Sequence, residues 1–120
     1  MRHSDFPPHV ADAMRVSLNG VSVDYVRDAI RSGEMALVSH GVAFAVLSRK
    51  DNMICIEAVE GDGGTELARL LVSGAVAAGL QCQAWVFNKA RVRLAQRAGM
   101  RPTNVARIAH NGRTQLQVIA

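Results

Sequence analysis

The sequence predicts an α/β fold, a mixed β-sheet with helices on both faces, in the order α-α-β-β-β-α-β-α-β-β. Three observations carry that expectation. Three short apolar runs between Met35 and Glu60 are joined by tight polar turns, the pattern of an antiparallel meander. Gly61-Asp62-Gly63-Gly64-Thr65 follows the third run and opens a helix-period segment leading to another apolar run, which makes a βαβ unit. Near the end, Asn111-Gly112 between two alternating segments signals a tight hairpin.

Taken in order, Pro7-Pro8 opens a first helix that runs to about Val16 and breaks near Asn19-Gly20. Ser22 is placed to cap a second helix, with Val23, Val26 and Ile30 on one face and Gly33 as its stop. Residues 35–39 and 42–47 read as strands around His40-Gly41, Arg49-Lys50-Asp51-Asn52 as a polar turn, and residues 53–60 as the third strand. Thr65 is placed to cap the next helix, with Leu67, Leu70, Leu71, Gly74, Ala75 and Ala78 on its buried face and Glu66, Arg69 and Ser73 opposite. Residues 82–87 form a short strand. Residues 88–98 form a helix with Lys89, Arg93 and Arg97 on the wet side, Val92, Leu94, Ala95 and Ala98 toward the sheet, and Gly99 as the stop. Residues 105–110 and 114–119 complete the chain as a hairpin.

Composition narrows the function classes. The 120 residues suffice for one domain, 1–120, with one core. Hydrophobic residues make up 49% and mean hydropathy is +0.10, which excludes a disordered or acidic solvating segment. The longest apolar stretch, residues 67–80, contains Arg69 and is too short to span a bilayer, and the N-terminus lacks the apolar run of a secretory signal. Cys55 and Cys82 stand outside any CxxC spacing and read as buried thiols of a cytoplasmic protein rather than as a disulfide or a metal site.

Charge is strongly segregated. All ten acidic residues lie at or before Glu66 beside six basic ones, a net −4, whereas residues 67–120 carry eight Arg or Lys and no acid, a net +8. A polyanionic partner fits this half: a phosphorylated cofactor, an acidic protein face or nucleic acid. A solvated Arg-rich surface, or a homodimer docking acidic half to basic half, fits it as well. Nucleic acid is the weaker reading, because the arginines lack interleaved aromatics and a strand separates the two later helices, so no helix-turn-helix forms.

Two segments carry candidate chemistry. A glycine-rich turn between a strand end and a helix start brings backbone N–H groups toward phosphate, aided by the helix dipole. The turn at Gly61, Gly63, Gly64 and Thr65 is neither a Walker loop nor a GxGxxG motif, and an ordinary tight βα turn explains it equally. Glu57 alternates with Ile56 and Ala58, which puts it on the face shared by Cys55 and Val59, where a half-buried carboxylate can take a proton from an amine; Glu60 at the strand end is the second candidate base. A solvent-facing or ion-paired glutamate is the plainer account of both. His3, His9, His40 and His110 are scattered and form no legible dyad with Ser or Cys.

The segment Trp85-Val86-Phe87-Asn88-Lys89-Ala90-Arg91-Val92-Arg93-Leu94-Ala95-Gln96-Arg97-Ala98-Gly99-Met100 resembles the strand–Asn–helix–Gly–apolar signature of the GNAT superfamily of acyl-CoA N-acyltransferases. Asn88, Val92, Leu94, Gly99 and Met100 fall at matching spacings, and the element order resembles that fold with its first strand reduced or missing. The resemblance covers roughly residues 34–120. It implies acetyl-CoA as cofactor, lying between splayed strands at Val59 and Phe87, and an amine substrate attacking the thioester directly. It places the pyrophosphate loop on Gly61 to Thr65, with Gly64 and Thr65 at the helix entry, and Asn88 on the pantetheine arm. The family's loop cation is absent, with Glu60 and Asp62 there instead, and its frequent general-acid Tyr falls on Ala95. Residues 83–120 are also similar to the end of small podophage acetyltransferase-like proteins associated with virion assembly, which implies a phage-encoded protein in the host cytoplasm or the virion. Two functions therefore stand side by side: a GNAT-type N-acyltransferase, and a non-catalytic GNAT-fold binding or assembly protein docking a partner through its basic half.

Overall fold

A computed structural model describes all 120 residues. In chain order the elements are β1 (Arg2–His3), α1 (Pro8–Met14), α2 (Val23–Ser32), β2 (Met35–His40), β3 (Ala43–Lys50), β4 (Met53–Glu60), α3 (Gly64–Ala77), β5 (Gln81–Val86), α4 (Lys89–Arg97), β6 (Arg101–Ile108) and β7 (Thr114–Ile119). The strands form one sheet in the order β1-β2-β3-β4-β5-β7-β6. Every neighbouring pair is antiparallel except β4–β5, which α3 connects as a parallel crossover. This is the predicted order, with a first strand reduced to two residues. No helix is long and apolar enough to cross a membrane.

Local chemistry sets most boundaries. Pro8 stands in the first turn of α1, where its missing N–H costs nothing. The Ser22 hydroxyl accepts the Tyr25 amide at 3.4 Å, and Gly33 closes α2 in the left-handed region. The Asn88 side chain caps α4 by accepting the Arg91 amide at 2.8 Å. The sheet then buries both faces. Phe6, Met14, Val26, Leu37, Val46 and Ala58 pack under α1 and α2. Ile56, Val72, Cys82, Met100 and Val118 pack under α3 and α4, with Ala43, Ala45 and Leu67 continuing that side. Burying each large aliphatic side chain contributes about 1.5–3 kcal/mol.

Several local expectations are corrected. β3 runs through Lys50, so the polar turn shrinks to Asp51-Asn52, with Asp51 at φ 55°. Thr65 does not cap α3: Gly63 is the N-cap residue and Thr65 lies inside the first turn. The buried face of α3 is Leu67, Val72 and Ala75, while Leu70, Gly74 and Ala78 are exposed, because the helix lies across the sheet with its Val72 side down. Leu94 of α4 is likewise exposed rather than buried. β6 begins four residues earlier than expected, at Arg101, with an irregularity between Pro102 and Ala106.

The most consequential departure is a β-bulge in β4. Val46 pairs with Ala58 and Leu47 with Ile56, which leaves Glu57 as the extra residue. Across it the alternation reverses. Ile56 packs on the α3 side, Ala58 on the α1–α2 side and Val59 on the α3 side again. Glu57 therefore does not share a face with Val59, contrary to simple alternation.

Candidate active site

β4 and β5 pair only over Met53–Ile56 with Gln81–Ala84. Beyond that point they part, because β4 follows β3 after its bulge while β5 stays with β7. The wedge between them opens a cavity of about 630 Å³, of the size small ligands occupy. Its lining includes Glu57, Val59, Glu60, Gly61, Gly63, Gly64, Thr65 and Asn88, the catalytic and cofactor-binding candidates of the sequence. Phe87 and Ala95 line it too.

At one mouth stands the N-terminus of α3. No side chain caps it. The Gly64 amide is taken by the Gly61 carbonyl at 3.1 Å and the Leu67 amide by the Gly63 carbonyl at 3.0 Å, whereas the amides of Thr65 and Glu66 have no acceptor in the chain. Two free N–H groups at the positive end of a helix dipole suit an anion. Gly61 adopts φ +98°, and a Cβ there would meet the Val42 carbonyl oxygen at 2.5 Å, so the turn is held against the β2–β3 connection and demands glycine. Charge opposes the dipole: Glu57, Glu60 and Asp62 line the cavity, and Arg91 is its one lining cation.

The two carboxylates on β4 are held by hydroxyls. Ser48 Oγ on β3 donates to Glu57 Oε1 at 2.6 Å, and Ser17, buried in the α1–α2 loop, donates to Glu60 Oε1. Each glutamate thus has one oxygen fixed and the other free to accept. Asn19 follows in the same loop, buried at 6% exposure, its Nδ2 donating to the Ser17 carbonyl at 3.0 Å. This loop reaches across to the β6–β7 turn, where the Asn111 amide donates to the Asn19 carbonyl at 3.2 Å. Gly20 makes the approach: at φ +88°, a Cβ would come within 2.8 Å of Asn111 N.

Ser17, Asn19, Ser48 and Arg91 are contributors the sequence reading missed. Ser48 was reachable from hairpin register, as it lies opposite Cys55 and diagonal to Glu57. Ser17 carries no such signal, standing 43 residues from Glu60. Asn88 is placed as expected at the end of β5, but its Oδ1 is committed to capping α4 and its Nδ2 alone is free.

The seven-stranded sheet flanked by helices, its fourth and fifth strands parting beside an uncapped helix N-terminus, has the GNAT-like architecture expected from the sequence. An acetyltransferase of Bacillus subtilis, solved in complex with CoA, has the same fold with a TM-score of 0.70 at 15% identity, over 99% of this chain and 95% of that one. The ribosomal-protein-S18-alanine N-acetyltransferase of Escherichia coli gives a TM-score of 0.64 at 14% identity, over 99% of this chain and 92% of its own. No protein-family model matches the chain, and no curated protein matches it significantly by sequence.

Proposed function

We propose that the protein is an acyl-CoA-dependent N-acyltransferase whose coenzyme lies in the wedge between β4 and β5. The parting of these strands after Ile56 and Ala84, with free helix amides at its mouth, is the observation that carries the reading. The residues present fit acetyl-CoA: the Thr65 and Glu66 amides would take the pyrophosphate, Val59 and Phe87 would flank the pantetheine arm, and Asn88 Nδ2 would donate to one of its carbonyls. Acetyl-CoA, when bound, supplies a thioester whose C–S bond breaks as the amine nitrogen bonds to the acyl carbon, the sulfur leaving with the electron pair.

The chain's own work is to deprotonate and orient the amine. Glu57 is favoured as the base, because the bulge turns it off the ladder and Ser48 fixes one oxygen, leaving the other to take the ammonium proton. Glu60, anchored by Ser17, is the second carboxylate able to accept it. Ala95 offers no proton to the departing sulfur, so solvent returns it. Acetyl transfer to a panel of primary amines tests this directly. Glu57→Gln is expected to lower turnover about 100-fold or more, with CoA affinity unchanged; full turnover would remove Glu57 from the mechanism.

A second reading has its own observation. Lys89, Arg91, Arg93, Arg97, Arg101, Arg107 and Arg113 take part in none of the four ion pairs of the chain. A GNAT-fold protein without catalysis would use that surface to dock an acidic partner. Absence of CoA binding would select this reading.

A further inference from the structure

Part of one sheet face has no helix over it. α1 packs on β4 and α2 on β2, whereas the helices packed on β5, β6 and β7 are α3 and α4. Cys82, Ala84, Val86 and Val118 belong to the core under α3 and α4, so alternation turns Gln83 and Trp85 on β5 and Gln115 and Gln117 on β7 to the opposite face. Side-chain hydrogen bonds tie that face together. Thr103 Oγ1 donates to Gln117 Oε1 at 2.7 Å, and Gln117 Nε2 donates to Gln83 Oε1 at 3.0 Å. The result is a polar floor across β5, β7 and β6 that meets the cavity at Trp85.

Unpaired cations stand where the floor meets the cavity. Trp85 and Phe87 line the cavity, and guanidinium groups rest on both rings: Arg107 lies 4.3 Å from the Trp85 centroid, and Arg113 lies 5.0 Å and Arg91 4.7 Å from that of Phe87. None of the three has a carboxylate partner. Arg107 spends only Nε, on Gln115 Oε1 at 2.9 Å. A guanidinium stacked on a ring keeps its in-plane N–H groups for carboxylates. Arg107 and Arg113 are exposed and lie outside the cavity, whose lining holds Glu57, Glu60 and Asp62 against the single cation Arg91. Charge is thus divided into two zones, carboxylates within the wedge and guanidinium groups on the outer side of its aromatic wall. A small amine enclosed in the wedge touches only the first zone. A molecule whose amine enters the wedge and whose carboxylates continue over the floor meets both.

We propose that the acceptor is an amine carried by an acidic polypeptide segment, which docks across β5 and the β6–β7 hairpin. Its ammonium enters the wedge toward the free oxygens of Glu57 and Glu60, and its aspartate and glutamate side chains pair with Arg107 and Arg113 outside. A polypeptide fits better than a nucleic acid, because the acceptor must present an aliphatic amine and because guanidinium groups already occupy the rings on which bases would stack. This assignment rests on the acyl-transfer reading. During transfer the ammonium loses its proton to Glu57, its nitrogen bonds to the acyl carbon, and the thioester C–S bond breaks with the pair on sulfur, leaving the segment acylated.

The test is fluorescence-anisotropy binding of short synthetic peptides, labelled at the C-terminus, to CoA-saturated and to coenzyme-free protein. One peptide has a free N-terminus followed by Glu and Asp, a second has Gln and Asn in their place, and two are N-acetylated acidic peptides, one with a single lysine and one with none. The acidic peptides with an amine are expected to bind about ten-fold or more tighter than the neutral one, with the advantage shrinking as salt is added. Blocking the only amine should weaken binding, and the tighter of the N-terminal and lysine peptides identifies which amine is used. In the Arg107→Gln/Arg113→Gln double variant the acidic-to-neutral ratio should fall to about one, with CoA affinity retained. Arg107→Glu/Arg113→Glu should turn the preference toward a Lys-rich peptide, a reversal that misfolding does not produce. Neutral peptides that bind as well as acidic ones, an amine-free peptide that binds as tightly as its amine-bearing counterparts, or an oligodeoxythymidylate that displaces the acidic peptide would overturn the proposal. Failure of CoA itself to bind would instead overturn acyl transfer, while the acidic-to-neutral ratio on coenzyme-free protein still decides the docking surface.

Discussion

Burial pushes the Cys82 thiol up to about 11 from an ordinary 9.0, because its thiolate would stand in the apolar interior under α3; the nearby Cys55 adds to the shift. The folded value is raised, so the thiol's contribution is complete below pH 9.0 and is lost as pH rises toward 11. Two pH units correspond to about 2–3 kcal/mol. Urea melts at pH 8 and pH 11 are expected to show a larger alkaline loss for the wild type than for Cys82→Ala, and equal losses would contradict the burial account. Asn88 is a separable case. Asn88→Ala should lower stability by about 1 kcal/mol, since it strips the α4 cap. Asn88→Ser keeps a capping oxygen but removes the free amide nitrogen, so normal stability with weakened CoA binding is expected of it. Unchanged CoA affinity in Asn88→Ser would limit Asn88 to capping.

At the scale of elements, the α1–α2 loop is the strap that brings Ser17 and Asn19 to the cavity, and Gly20 sets how closely it lies on the β6–β7 turn. Gly20→Ala places a methyl group where Asn111 N now packs and strains a left-handed backbone, at a cost of about 1–3 kcal/mol. The expected result is a raised KM for the amine with CoA affinity preserved; an unchanged KM would show that the strap does not shape the acceptor side. The same elements show what a sequence can reveal. Ser22, Gly33 and Asn88 act on backbone groups within three residues, so their roles are written locally. The bulge at Glu57 is a property of the β3–β4 pair, and no alternation within β4 announces it. The buried face of α3 was misread for a related reason: Leu70 and Leu71 are equally apolar, and only the tilt of the helix on the sheet decides which one is covered.

For the whole molecule, element order was legible because each turn carries its own chemistry, while the place of β7 between β5 and β6 and the site's architecture depend on contacts across long separations. Glu60 meets Ser17 from 43 residues away, and the hairpin arginines meet Trp85 and Phe87 only after β7 has inserted between β5 and β6. Segregated charge takes on meaning at this scale too. The acidic half supplies Glu57, Glu60 and Asp62 to the cavity and the basic half supplies Arg91, which rests on the Phe87 ring, so the two ends of the charge distribution meet at the wedge. The central claim is that this wedge receives coenzyme A despite three lining carboxylates. Isothermal titration with CoA tests it most directly. Binding at micromolar Kd, with a matching rise in Tm, is the predicted result; no heat and no thermal shift at high protein concentration would contradict it.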